Sequence, residues 1–154
     1  MAGSVEDRLQ ELGIELPAAA APAANYVPFV LSGNQLFISG QLPLIADGEK
    51  FSGKLGADVD VETGERAARA CALNILAQAK DALGDLERIE RCLKLGGFVN
   101  ATDDFTDHPE VINGASNLLA EVLGEKGRHT RFAVGCGSLP RDVPVEVDAL
   151  FAVS

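Results

Sequence analysis

Residues 131–153, RFAVGCGSLPRDVPVEVDALFAV, hold two runs of strand-forming residues separated by Ser138-Leu139-Pro140-Arg141-Asp142, whose proline and aspartate favour a turn. In the second run Val143, Val145, Val147, Ala149, Phe151 and Val153 share one parity, a period of two that marks a strand with one buried face. The other parity begins with Glu146 and Asp148 but continues with Leu150 and Ala152, so it is not a plain solvent face. With helices on the Val/Phe side, the second face needs cover too, and in so small a domain that points to another subunit.

Working back from this pair, a helix is expected near residues 107–123. Asp107, Pro109 and Glu110 give a start signal, Val111, Ala115, Leu118, Leu119 and Val122 form the stripe, and Gly124 is the stop. Before it, Ile89–Asn100 reads as a strand in which Gly96-Gly97 offers a bulge or a close backbone contact. Val61–Leu83 reads as a long helix with Ala68, Ala72, Ile75, Leu76, Ala79 and Leu83 on one face, and its alanines suit flat packing against strands. Tyr26–Leu31 and Gln35–Ser39 around Ser32-Gly33-Asn34 read as a hairpin. The glycine-rich piece 47–56 leaves room for one irregular strand. The order β, β, α, β, α, β, β predicts an α+β domain, a mixed sheet with two helices on one face.

Two parts precede that domain, which spans residues 25–154. Val5–Leu12, capped by Ser4 and stopped by Gly13, reads as a short surface helix, and the Ala/Pro-rich residues 17–24 read as an extended segment lying over the domain. Together, residues 1–24 form an extension.

Composition narrows the function classes. A net charge of −10 over 154 residues argues against a surface built for nucleic acid. No apolar run reaches membrane-spanning length, and the N-terminus lacks a secretion-signal layout, so a cytoplasmic protein is expected. Cys71, Cys92 and Cys136 are scattered and only His108 and His129 could join them, which indicates neither disulfides nor a metal site. Each cysteine reads as a small buried residue. Neither a nucleophile triad nor a phosphate loop nor a dinucleotide fingerprint is present.

What remains is a polar set: Tyr26, Ser39, Asn113, Arg131 and Glu146. Arg131 and Glu146 have the parity to project from the same side of the terminal strands, away from Phe132, Val134 and Val147, unless a bulge intervenes. A guanidinium in a half-buried interface suits bidentate capture of a carboxylate. The residues alone leave open whether Arg131 and Glu146 merely pair with each other or with solvent.

The pattern Arg-x7-Leu-Pro-x-Asp-Val-x-Val-Glu-Val from Arg131, with Asn-Tyr-Val at Tyr26 and Phe-Ile-Ser-Gly-Gln-Leu-Pro at 37–43, resembles the YjgF, or RidA, family, also labelled endoribonuclease L-PSP. The match runs in order from about residue 25 to the end, and residues 1–24 resemble the extension of a longer branch. The resemblance implies a chorismate-mutase-like fold, a homotrimer with clefts at its subunit interfaces, and no metal or cofactor. It implies hydrolysis of short 2-imino acids, formed from enamines such as 2-aminoacrylate, to 2-keto acids and ammonia. By position it makes Arg131 the carboxylate clamp, Glu146 the water-orienting acid or base and Tyr26 a hydroxyl donor, with Ser39, Gly40, Asn113, Phe132 and Ala133 lining the cleft. The sequence departs from the family at Ala133, where a cysteine is common, at the bulky Phe132, and by one extra residue between Asn113 and Arg131. A non-catalytic trimer that binds a small carboxylate is the alternative, and a ribonuclease or inhibitor of translation initiation follows only from the older label.

Overall fold

The computed structural model describes residues 3–22 and 24–154. The chain runs α1 (Val5–Glu11), β1 (Phe29–Ser32), β2 (Gln35–Gln41), α2 (Val61–Leu83), β3 (Ile89–Asn100), α3 (His108–Leu123), β4 (Thr130–Cys136) and β5 (Val145–Val153). The five strands form one sheet in the order β1-β2-β5-β3-β4, in which only β3 and β4 run parallel. This is the α+β, mixed-sheet architecture that the hydrophobic pattern predicts. Helices α2 and α3 cover one face of it.

Prolines trim two of the expected strands. β1 begins at Phe29 rather than Tyr26, and β5 at Val145 rather than Val143, because Pro28 and Pro144 have no N–H to give to a ladder. Their carbonyls still work: Pro28 accepts from Ser39 N at 2.9 Å and Pro144 from Asn100 N at 2.8 Å. The hairpin turn places Gly33 at φ 59°, the left-handed region that glycine enters without steric penalty. In the 47–56 piece only Leu55 makes bridges, to Val59 and Ala101.

Helix α2 starts where Asp60 accepts from Thr63 N at 2.8 Å and stops at Gly84. Its alanine face lies on the sheet, with Ala68, Cys71, Ala72, Ile75, Leu76 and Ala79 fully buried. Helix α3 buries Val111, Ile112, Ala115, Leu118, Leu119 and Val122, while Asp107 caps it by position without a side-chain bond. The bulges of β3 fall near its start, between Ile89 and Arg91 and between Cys92 and Lys94, rather than at Gly96-Gly97. Those glycines serve close approach instead. A Cβ on Gly97 would sit 2.7 Å from Ile112 of α3, and one on Gly96 would meet the Phe132 ring on the opposite face.

Segment α1 is more than a surface attachment. Val5 and Leu9 are buried in the common core, and Arg8 Nε donates to the Val122 carbonyl of α3 at 2.8 Å. The stretch that follows is held at Ala20, whose carbonyl accepts from Gln78 Nε2 at 2.7 Å. Cys71 and Cys92 are buried, and burial pushes the Cys92 thiol up to about 12. Among the described residues no helix is long and apolar enough to cross a membrane, and no group of three or more His, Cys, Asp or Glu is placed to hold a metal ion.

Candidate active site

Directly paired residues on neighbouring strands share a sheet face, so the register sorts the site residues. Gly96 pairs with both Phe132 and Asp148, and Phe98 with both Val134 and Glu146. These side chains therefore line the face away from the helices, where Phe98 and Phe132 meet edge-to-face at 5.3 Å. Leu95 pairs with Arg131 and Ala149, and Gly97 with Ala133 and Val147, which puts Arg131 and Ala133 on the helix face.

Arg131 and Glu146 thus project from opposite faces of the sheet, not from the same side. Phe132 and Val134 are the reason. On the edge strand β4 the core takes the small residues, with Ala133 packed against it and Gly135 beneath the His108 ring, while the bulky Phe132 and Val134 turn outward onto Phe98 and solvent. Strand alternation then carries Arg131 to the helix side, where it reaches α3.

One half of the candidate site therefore lies along β4 and α3. Arg131 Nη1 donates to Ser116 Oγ at 3.1 Å and Nη2 to the Pro109 carbonyl at 3.2 Å. Asn113 is exposed and sits four residues after Pro109 and three before Ser116, on the same stripe of the helix. Ser116 Oγ in turn lies 2.8 Å from Nε2 of His129. Burial chiefly lowers the His129 pKa, with the Arg131 and Arg128 cations acting in the same direction and the Gly127 carbonyl against them.

The other half lies at the β2–β5 end. Ser39 Oγ donates to the Val27 carbonyl at 2.8 Å and so ties the segment carrying Tyr26 to β2. The register of β2 against β5 shifts between Ile38 and Gln41, and Gly40 lies in this irregular stretch. A Cβ there would overlap Glu146 Oε2, so the carboxylate rests against bare backbone. Burial, and then the Asp148 charge, raise the Glu146 pKa. Asp148 itself accepts from Gly96 N at 2.9 Å. Tyr26 and Ser39 share an open-face cleft with Phe37, Lys94, Phe132 and Asp148. Behind Tyr26 and Gly40 a cavity of about 170 Å³ runs between α2 and the segment around Ala20.

Within one chain the structure brings Tyr26, Ser39, Gly40 and Glu146 to one region and Arg131 and Asn113 to another. Ser116 and His129 lie outside the polar set expected from the sequence, which offers the histidine only as a possible metal ligand. Signals for both existed: Ser116 is a polar residue one turn from Asn113, and His129 shares strand parity with Arg131.

Comparison with known proteins agrees with this architecture. The family model described as "YjgF/chorismate mutase-like, putative endoribonuclease" matches residues 6–152. Protein TCP17 of Trypanosoma cruzi is 54% identical over 149 residues, 96% of this chain and 93% of the relative. The crystal structure of Atu1372, a protein of unknown function from Agrobacterium tumefaciens, is 54% identical with a TM-score of 0.90, over 97% of this chain and 92% of the other. The structure of Escherichia coli TdcF with bound serine is 25% identical with a TM-score of 0.61, over 90% of this chain and 93% of the other. A family match over nearly the whole length, on the mixed sheet with its two covering helices, establishes that the chain belongs to the YjgF/chorismate mutase-like family.

Proposed function

We propose that the protein is an enamine/imine deaminase of the cytoplasm, hydrolysing short 2-imino acids to 2-keto acids and ammonia in clefts between the subunits of a homotrimer. The observation that carries this reading is the division of the site. Arg131 and Asn113 stand at the β4 edge of the sheet, and Tyr26, Ser39, Gly40 and Glu146 at the β2–β5 end. Neither half holds both the Arg131 clamp and the Glu146 carboxylate. Docking the β4 edge of one copy against the β2–β5 end of another would supply both. The exposed apolar side chains Val30, Phe37, Phe98 and Val134 give such docking a driving force.

The chemistry asks little of the protein. Arg131 would hold the substrate carboxylate through two parallel N–H donors. Glu146, its pKa raised by burial and then by Asp148, is a stronger base than an ordinary carboxylate and is suited to accept and return a proton. Water adds to C2 of the imine as Glu146 takes a proton from it, and the C=N electron pair goes to nitrogen. Return of that proton to nitrogen gives a carbinolamine, and Glu146 then takes its hydroxyl proton and passes it to nitrogen as the O–H electron pair forms the C=O bond and the C–N bond breaks to release ammonia. Tyr26 donates its hydroxyl to the adduct, while Ser39, Gly40, Phe132 and Ala133 shape the cleft. Positioning and charge stabilisation of this kind suffice for an imine, which reacts with water unaided.

The test couples a lyase that releases 2-aminoacrylate to detection of keto acid. Wild-type protein should accelerate keto-acid formation, and Arg131→Ala and Glu146→Gln should each lose about 100-fold. No acceleration by the wild type over buffer would sink the deaminase reading. The serine-bound TdcF structure favours a second reading, a carboxylate-binding trimer without turnover. The ribonuclease reading in the family description meets a net charge of −10, which works against a polyphosphate substrate.

A further inference from the structure

The Arg131 guanidinium is built into a chain of four groups. Nδ1 of His129 lies 2.5 Å from the Gly127 carbonyl oxygen, and a carbonyl only accepts, so Nδ1 carries the ring proton. In the neutral ring Nε2 is then bare and takes the hydroxyl hydrogen of Ser116, 2.8 Å away. That turns the lone pairs of Ser116 Oγ toward Nη1 of Arg131 at 3.1 Å, while Nη2 is held by the Pro109 carbonyl at 3.2 Å. Every link has a defined donor. The planar guanidinium is thereby fixed at two of its nitrogens, and its remaining N–H groups point in set directions.

We propose that Ser116 and His129 are positioning residues that orient Arg131 for carboxylate capture. This rests on reading Arg131 as the clamp. A long arginine otherwise loses rotamer freedom each time it binds, and a pre-oriented one does not. The relay also has a polarity that pH reverses. From α3 the imidazole faces the neutral Ser116, from the turn before β4 the Gly127 carbonyl, and from its own segment the Arg128 and Arg131 cations. An added proton on Nε2 makes it a donor to Oγ, and the displaced hydroxyl hydrogen then competes with Nη1 of Arg131.

The experiment measures dissociation constants for pyruvate, a 2-keto acid that needs no turnover, by titration calorimetry on the full chain. Ser116→Ala and His129→Phe should each weaken pyruvate about ten-fold, and Ser116→Thr, which keeps the hydroxyl, should restore wild-type affinity. Wild-type affinity should also fall as pH drops below 6.5, and this step should vanish in both weakened variants. Wild-type affinity in Ser116→Ala, with binding lost in Arg131→Ala, overturns the relay and leaves the clamp standing. Absence of pyruvate binding to the wild type, or unchanged binding in Arg131→Ala, overturns clamp and relay together. Turnover is not part of the readout, so failure of the deaminase reading shows separately, in the coupled lyase assay.

Discussion

Gly40 and Glu146 tie function to a single missing methyl. A Cβ on Gly40 would overlap the end of the Glu146 side chain and not its backbone, so the side chain yields and the fold survives. Gly40→Ala should therefore leave the thermal midpoint within about 2 °C, a shift worth less than about 0.7 kcal/mol, while the deaminase activity proposed above falls at least ten-fold. Calorimetry beside the coupled assay checks both. Two titrations carry stability signatures of opposite sign. The His129 pKa lies below its ordinary value, so its contribution is present above about pH 6.5 and lost as pH falls through the native value. The Glu146 pKa is raised, so its contribution is present below the ordinary carboxylate range and lost as pH rises through the native value. Glu146→Gln should accordingly raise the thermal midpoint at pH 8 and not at pH 4, and melts at the two pH values read this directly.

At the scale of elements, α2 and α3 meet where side chains are smallest. A Cβ on Gly114 would overlap the Glu65 carbonyl of α2, and backbone does not swing aside. Gly114→Ala gains helix propensity but forces the helices apart, so it should destabilise by about 3 kcal/mol in urea unfolding. Helix α1 makes the opposite point, that a short helix is held by packing. Its Ser4 capping box helps little alone, since seven residues are too few for an isolated helix. Val5 and Leu9 are what dock it. Deleting residues 1–13 should lower stability by on the order of 3 kcal/mol, most of the transfer free energy of two buried aliphatic side chains.

For the whole molecule, the helix-free face of the sheet carries the apolar surface available for assembly. Phe98 and Val134 are 37% and 43% exposed there, beside Phe132 and near the Glu146–Asp148 pair. Phe98→Asp adds a third carboxylate to that face and should shift the proposed trimer to monomer in sedimentation equilibrium. Each proposed cleft takes residues from two subunits, so the same variant should lose turnover in step with dissociation. A fully active monomer would rule out shared clefts.

Local chemistry made most of the fold legible. The alternation of Val143 to Val153, the alanine face of Val61–Leu83 and the stop at Gly124 depend on neighbours in the chain, and such signals are written in the sequence itself. The two strand starts depart from the hydrophobic pattern for an equally local reason, the missing N–H of Pro28 and Pro144. The faces of β4 were another matter. Of its two parities, Arg131-Ala133-Gly135 and Phe132-Val134, a rule that sends bulky apolar residues inward would bury the second. Packing chose the reverse, because α3 lies close over this edge, with the His108 ring above Gly135 and Ala133 packed against the core. So the sequence by itself determined the elements, the family and Arg131 as a residue worth naming. Only the tertiary structure decided that Arg131 turns to Ser116 and His129, on the far side of the sheet from Glu146.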